Sequence, residues 1–132
     1  MLPDMPAQTL KLETQDSPQP GVKVIALTGG LTLETVAGFN QNLREETSPT
    51  ILLNLASLEW LDSAGVGALV QLLVRRAKGK SALALAGLSP RNHGVLDVAH
   101  VLNLFAVFPT ADDALKYFAQ HGSMSDNAAH SA

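Results

Sequence analysis

Apolar and polar positions alternate along the first part of the chain in the way that β-strands require. Thr9 to Glu13 alternates in this way, and Val22 to Thr28 does so less strictly, with the breaker-rich segment QDSPQPG between them. The pattern predicts two strands that are joined by a loop and paired antiparallel. The period changes after Gly29 and Gly30, so the second strand is predicted to end at Thr28.

Helical periods and short apolar runs then follow one another. A first helix is predicted from a cap at Thr32 to the neighbourhood of Pro49, and a second from about Ala64 to Lys78. A third is predicted from the cap Ser89, and a fourth between Thr110 and Gly122. Apolar runs of strand length separate these helices: Ile51 to Leu55, Ala82 to Ala86 and Leu104 to Phe108.

This order of elements predicts an α/β fold. Strands that alternate with helices after an initial hairpin are typical of a mixed, mostly parallel sheet, here with about five strands and about four helices. A chain of 132 residues is long enough for one core, so we expect a single domain over residues 8–121. We expect residues 1–7 to be a flexible N-terminus and residues 122–132, which are small and polar, to be a disordered tail.

Composition removes several classes of function. Cysteine is absent, which excludes disulfides, thiolate zinc sites and thiol nucleophiles. The four histidines share no metal-binding spacing, so we predict neither a metal nor a cofactor. A net charge of -3 gives no electrostatic footprint for nucleic acid, and neither a signal segment nor a membrane span is indicated. We therefore expect a cytoplasmic protein without a nucleic-acid or membrane partner.

The clustered basic residues belong to the end of the second predicted helix, where cations complement the helix dipole. We interpret Arg75, Arg76, Lys78 and Lys80 as a solvated cluster rather than as a binding patch. The predicted buried face of this helix excludes Arg75 and Arg76. It consists of Val66, Leu69, Val70, Leu73 and Ala77.

The most informative stretch lies between the third predicted strand and the second helix. A connection from Ala56 to Leu61 leads to Asp62-Ser63-Ala64-Gly65-Val66-Gly67, which places a hydroxyl at a helix N-terminus beside a carboxylate and two glycines. The plain interpretation is that Asp62 or Ser63 is an ordinary N-cap worth about 1 kcal/mol. Glycine costs about 0.5 to 1 kcal/mol in a helix relative to alanine. Gly65 and Gly67 therefore indicate a close backbone approach, a bare landing surface or packing on the sheet.

A hydroxyl in this position is a sensible phosphorylation site. A phosphate adds a charge of about -1.5 to -2 where helix amides tolerate it, and it disfavours a partner docked on the same helix end. A serine hydrolase is not indicated, since Leu61 stands where the Gly-x-Ser-x-Gly elbow needs its first glycine. Trp60 is interpreted first as packing before the helix, with an exposed interface anchor as the alternative.

These residues resemble the STAS domains (sulfate transporter and anti-sigma factor antagonist), and in particular the stand-alone bacterial anti-sigma factor antagonists. The resemblance covers Thr9 to Ala119. The segments that carry it are Leu27 to Leu31, Ile51 to Leu55, Trp60 to Gly67, Leu88 to Pro90, Val95 to Ala99, Phe105 to Phe108 and Asp112 to Leu115.

The resemblance implies that Ser63 is the phosphorylated serine and that Asp62, Ala64, Gly65 and Gly67 belong to the partner-binding surface. It implies a monomeric binding module that is not an enzyme. The unphosphorylated form would bind a GHKL-type anti-sigma factor serine kinase and so release the sigma factor, and a PP2C-type phosphatase would restore that form. The alternative is a phosphorylation-independent STAS scaffold subunit of a lipid-transport ATPase or a stress-signalling complex.

Overall fold

The computed structural model describes residues 9–122 and confirms the predicted fold class. The predicted N-terminus, residues 1–7, and residues 123–132 of the predicted tail lie outside the described residues. The described part contains five strands and four α-helices, with a 3₁₀ turn at Leu102–Leu104 before the last strand. The elements are β1 (Leu10–Gln15), β2 (Val22–Leu31), α1 (Val36–Leu43), β3 (Thr50–Leu61), α2 (Ser63–Lys78), β4 (Ala82–Ala86), α3 (Pro90–Val98), β5 (Ala106–Phe108) and α4 (Ala111–His121).

The strands form one sheet in the order β1-β2-β3-β4-β5, in which β1 is antiparallel to β2 and the other neighbours are parallel. The alternation of side chains along β3 divides the interior into two cores. Ile51, Leu53 and Leu55 pack under α1, α2 and α3, whereas Leu52 faces α4 on the other side. The sheet is therefore covered on both faces, which explains the nearly continuous apolar run of its central strand.

Two strands run further than the sequence predicts. β2 continues through Gly29 and Gly30 to Leu31, and β3 continues through the segment predicted as a connection to Leu61. These extensions pair with each other beyond the last residue of β4, since Leu31 lies opposite Leu61 whereas Ala86 lies opposite Asn54. The paired ends of β2 and β3, here called the ribbon, extend past β4 and lead the chain to α2.

Gly29 explains why the glycine pair does not end the strand. Its φ angle is +105°, and a Cβ at this position would overlap the carbonyl oxygen of Thr9. The pairing of β2 with β3 shifts in register between Gly29 and Gly30, which is the signature of a β-bulge. The glycines therefore bend a continuing strand, and the predicted strand end at Thr28 is wrong.

The first helix is shorter than predicted. It begins at Val36 and ends at Leu43, and the predicted cap Thr32 lies in the preceding turn. There the Thr32 carbonyl accepts bonds from the amides of Thr35 and Val36, each at 2.9 Å. The hydroxyl of Thr35 donates to the Gly30 carbonyl at 2.7 Å and ties this turn back to β2.

The buried face of α2 also differs from the prediction. Leu72 and Arg76 are buried, whereas Val70 and Leu73 are partly exposed and Ala77 is exposed. The Arg76 side chain is 6% exposed because its guanidinium donates to three backbone carbonyls, which compensates for its burial. These carbonyls belong to Glu46, Ser48 and Ala82.

Glu46 completes this cluster from the loop before β3. Its carboxylate accepts bonds from Lys23 Nζ at 2.7 Å and from the Ser48 hydroxyl at 2.7 Å. Burial would raise the pKa of Glu46, but the bonds from Lys23 and Ser48 outweigh it and lower that pKa to about 2. Arg76 and Glu46 together hold the C-terminal end of α2 against the loop that precedes β3 and against the first residue of β4.

We expect Arg76→Met to lower the free energy of unfolding by about 3 kcal/mol, because it leaves buried carbonyls without donors. Arg75→Met is the matched control, since Arg75 is the exposed neighbour on the same helix, and we expect a change within about 0.5 kcal/mol. Urea unfolding of both variants measures the difference. Equal stability of the two variants would contradict the role assigned to Arg76.

We expect acid to remove the stabilisation that Glu46 provides. Its pKa in the folded chain, about 2, lies below the ordinary value of 4.5, so its contribution is complete above pH 4.5 and is lost as the pH falls towards 2. Glu46→Gln should flatten the decline of stability in this window, whereas Glu45→Gln, on an exposed neighbour, should keep it. Thermal unfolding across this pH range tests the assignment, and parallel curves for both variants would contradict it.

Candidate functional site

Asp62 joins the end of the ribbon to the start of α2. Its Oδ1 accepts a bond from the Gly65 amide at 2.9 Å, which caps the helix, and its Oδ2 accepts one from the Leu33 amide at 3.1 Å. Of the two caps that the sequence leaves open, the structure selects Asp62. One carboxylate thus fixes both the helix and the loop that follows β2.

Ser63 is the first residue of α2 and is exposed. Asp62 already serves as the cap, and no partner within residues 9–122 forms a hydrogen bond with the Ser63 hydroxyl. The backbone amides of the first helical turn lie beside it, at the positive end of the helix dipole. The structure therefore presents an accessible hydroxyl in a setting that tolerates added negative charge.

The two glycines after Ser63 have different structural roles. Gly65 is buried, and a Cβ there would overlap the Leu31 carbonyl oxygen and lie 2.9 Å from Leu61 Cδ1. Gly67 is exposed, and a Cβ there would meet no atom of the described chain within 4 Å. The close backbone approach thus explains Gly65 alone, and no packing contact explains Gly67.

An apolar groove of about 910 Å³ lies between α2 and α3, with Ser63 among its lining residues. The sequence pattern does not indicate this groove, because its two walls are separated in the chain by β4. Exposed or half-exposed valines at helical spacing were the available signal. The other lining residues are Val66, Gly67, Val70, Gln71, Arg91, Gly94, Val95, Val98, Ala99 and Val101.

The first turn of α3 fixes this wall of the groove against the ribbon. Asn92, which is fully buried, donates from Nδ2 to the Leu58 carbonyl at 2.9 Å. Arg91 places its guanidinium carbon 4.1 Å from the centre of the Trp60 ring, a cation–π contact. Trp60 is half-buried, so it packs beneath Arg91 while part of its ring stays accessible.

The predicted site residues therefore fall into two groups. Asp62, Ser63, Ala64 and Gly67 reach the surface at the start of α2, and Gly65 lies behind them.

In the region from residue 9 to residue 122, no group of three or more histidines and carboxylates is placed to hold a metal ion. Among the helices of the described residues, none has the length and apolar character needed to cross a membrane.

Comparison with known proteins gives a family match that covers most of the chain. The model of the STAS domain family matches residues 13–114. A search of curated protein sequences found no significant match.

Several solved structures are similar. An anti-sigma factor antagonist from Mycobacterium paratuberculosis has a TM-score of 0.73 and 19% identity, over 83% of this chain and 94% of that chain. The Bacillus cell fate determinant SpoIIAA, in its phosphorylated form, has a TM-score of 0.58 and 20% identity, over 81% and 98% of the two chains. A sulfate transporter family protein from Wolinella succinogenes has a TM-score of 0.68 and 25% identity, over 80% and 90%.

We expect Gly65→Ala to destabilise the fold by about 2 to 3 kcal/mol, because the new methyl group would overlap the Leu31 carbonyl. Gly67→Ala, two residues further along the same helix, should instead stabilise it by about 0.5 to 1 kcal/mol. Chemical unfolding of the two variants tests this contrast. A stability for Gly65→Ala equal to that of the unmodified protein would contradict the close approach of α2 to β2.

Proposed function

The chain belongs to the STAS domain family, and on that basis we propose that it is an anti-sigma factor antagonist whose partner binding is switched by phosphorylation of Ser63. The supporting observation is the position of Ser63. Its hydroxyl is exposed, takes no part in capping α2 and lines the groove between α2 and α3. A kinase can reach this hydroxyl without unfolding the helix.

The fold would tolerate the phosphate, whereas the phosphate would weaken the binding of a partner. Amides at the start of α2 accommodate an anion of about -1.5 to -2 charge, so the structure survives the modification. A partner packed over the same helix end would have to desolvate the phosphate. A loss of about 3 to 4 kcal/mol corresponds to a few hundred-fold in affinity, which is enough to switch binding without a large rearrangement.

The proposed partner is an anti-sigma factor that is also a GHKL-type serine kinase. The unphosphorylated chain would bind it as a cytoplasmic monomer and release the sigma factor. Phosphorylation would end this binding, and a PP2C-type phosphatase would restore it. In this scheme the chain contributes a binding surface and a phosphate acceptor, and it catalyses neither reaction.

The predicted contact residues have distinct roles in this proposal. Asp62, Ala64 and Gly67 surround Ser63 at the surface and would meet the partner directly. Gly65 is buried, so it would act indirectly by allowing α2 to lie against Leu31. Because residue 64 is alanine, the Ser63 hydroxyl is the phosphate acceptor at the start of the helix.

We expect phosphate on Ser63 in protein purified from its native cells. Mass spectrometry should locate it by fragmenting the tryptic peptide from Glu45 to Arg75, which contains several other hydroxyl residues. Ser63→Ala should lose the phosphate and capture the kinase, and Ser63→Glu should bind it about 100-fold more weakly or worse. Ser57→Glu is the control, because it adds the same charge at an exposed serine of β3.

Two outcomes would contradict the proposal. One is the absence of phosphate on Ser63 under every growth condition tested. The other is a stable complex, for example with a transport ATPase, that Ser63→Glu leaves unchanged. Either result would favour a phosphorylation-independent scaffold function.

A further inference from the structure

The groove between α2 and α3 contains two glycines that the fold itself does not require. Gly67 lies in α2 and Gly94 in α3, and a Cβ at either position would meet no atom within 4 Å among the described residues. Glycine is unfavourable in a helix relative to alanine, and no internal packing compensates for it here. Their common feature is that both line the groove. At these two positions the walls of the groove carry no side chain.

Apolar side chains that the core of the domain leaves uncovered line the groove. Val98 is 79% exposed, and Val70 and Val95 are only partly covered. A smaller depression continues from Val70 along α2 to Val74, which is 48% exposed. An uncovered apolar strip of this kind indicates a site of protein–protein contact.

The charges around this strip indicate the chemistry of its occupant. Arg91, at the start of α3, lines the groove together with Ser63, at the start of α2, and Arg75 and Lys78 line the continuing depression at the other end of α2. In the described part of the chain, no acidic side chain lines the groove. Asp97 of α3 lines a separate depression with His100 and Asn103. The strip is therefore mainly apolar, with Gln71 as a neutral polar residue along it, and it is cationic at both ends.

We propose that this groove binds an amphipathic α-helix of the partner protein, with its apolar face on the valines and acidic residues towards Arg91 at one end and towards Arg75 and Lys78 at the other. An α-helix with its side chains is about 10 to 12 Å across. Because Gly67 and Gly94 carry no side chain, such a helix can approach the groove closely. The inference rests on the proposed function, because the partner is the anti-sigma factor of the preceding proposal.

A second copy of this chain fits the groove less well. In a two-fold pair the same surface meets itself, so the cationic ends of one strip would face the cationic ends of the other. Like charges brought together in an interface oppose association. An acidic helix complements the same ends and is the occupant that the charges favour.

This occupant also explains how Ser63 controls binding. Ser63 and Arg91 line the same groove, so a phosphate on Ser63 would neutralise the cation that receives the acidic edge of the helix. It would also repel that edge directly. Phosphorylation would thus reverse the charge at one end of the strip and leave the fold unchanged.

Photo-crosslinking in the native cells tests the occupant. Val98→benzoylphenylalanine places the probe in the groove, and Leu33→benzoylphenylalanine places it on the exposed loop that is bonded to Asp62. We expect the Val98 probe to capture a partner peptide with an apolar helical stripe and acidic flanks. The groove proposal would be overturned if the Val98 probe captured this chain or a lipid, or if it captured no molecule. If the Leu33 probe alone captured the partner, the groove proposal would be overturned but the proposed function would stand.

The same probe in Ser63→Glu separates the two proposals. Loss of the Val98 crosslink supports both the groove and the switch. A crosslink that persists to the same acidic helix supports the groove and contradicts the phosphorylation switch. No crosslink from either probe in any variant would overturn both.

Glycine substitutions then test the groove quantitatively with the captured partner. Gly67→Ala and Gly94→Ala should each raise the melting temperature yet weaken binding about 10-fold, because the added methyl groups hold the helix away. Gly38→Ala is the matched control: Gly38 is an exposed glycine of α1 where a Cβ likewise meets no described atom within 4 Å. It should raise the melting temperature and leave the affinity unchanged. Equal affinities for all three variants would overturn the proposal.

Discussion

The close approach of the start of α2 to the end of β2 is the constraint on which the site depends. The Leu31 carbonyl lies against Gly65, and the Asp62 carboxylate spans from the helix to the Leu33 amide. A side chain at position 65 would separate the two elements. Because Asp62 is committed to this junction, the Ser63 hydroxyl stays available at the surface.

α2 is fastened at both ends while its outer face remains uncovered. Asp62 holds the N-terminal end, and Arg76 holds the C-terminal end through carbonyls of the loop before β3 and of the first residue of β4. Between these anchors Gly67 and Val74 are exposed, and Val70 is only partly covered by the rest of the domain. A helix held in this way presents a fixed surface, so a charge added at Ser63 acts on a partner rather than on the fold.

Strong periodicity made the order of the elements and the α/β class predictable, and the family match agrees with the resemblance seen in the motif around Ser63. The errors arose where one residue type has two structural uses. Gly29 was predicted to follow the end of a strand, but it bends a strand that continues. Arg76 was predicted to be solvated, but it is buried and donates hydrogen bonds to backbone carbonyls. The period-two pattern of Ser57 to Leu61 was the missed signal for the longer β3. The groove was missed because it forms between two helices, α2 and α3, whose relative placement the sequence pattern does not give.

A phosphate on Ser63 should weaken partner binding strongly without altering the domain. The most direct test installs phosphoserine at this position during translation and compares the modified and unmodified chains by calorimetric titration with the anti-sigma factor. We expect the dissociation constant to rise about a few hundred-fold, with NMR shifts confined to the start of α2 and the groove. Equal affinity of the two forms, or a rearrangement of the sheet on phosphorylation, would contradict it.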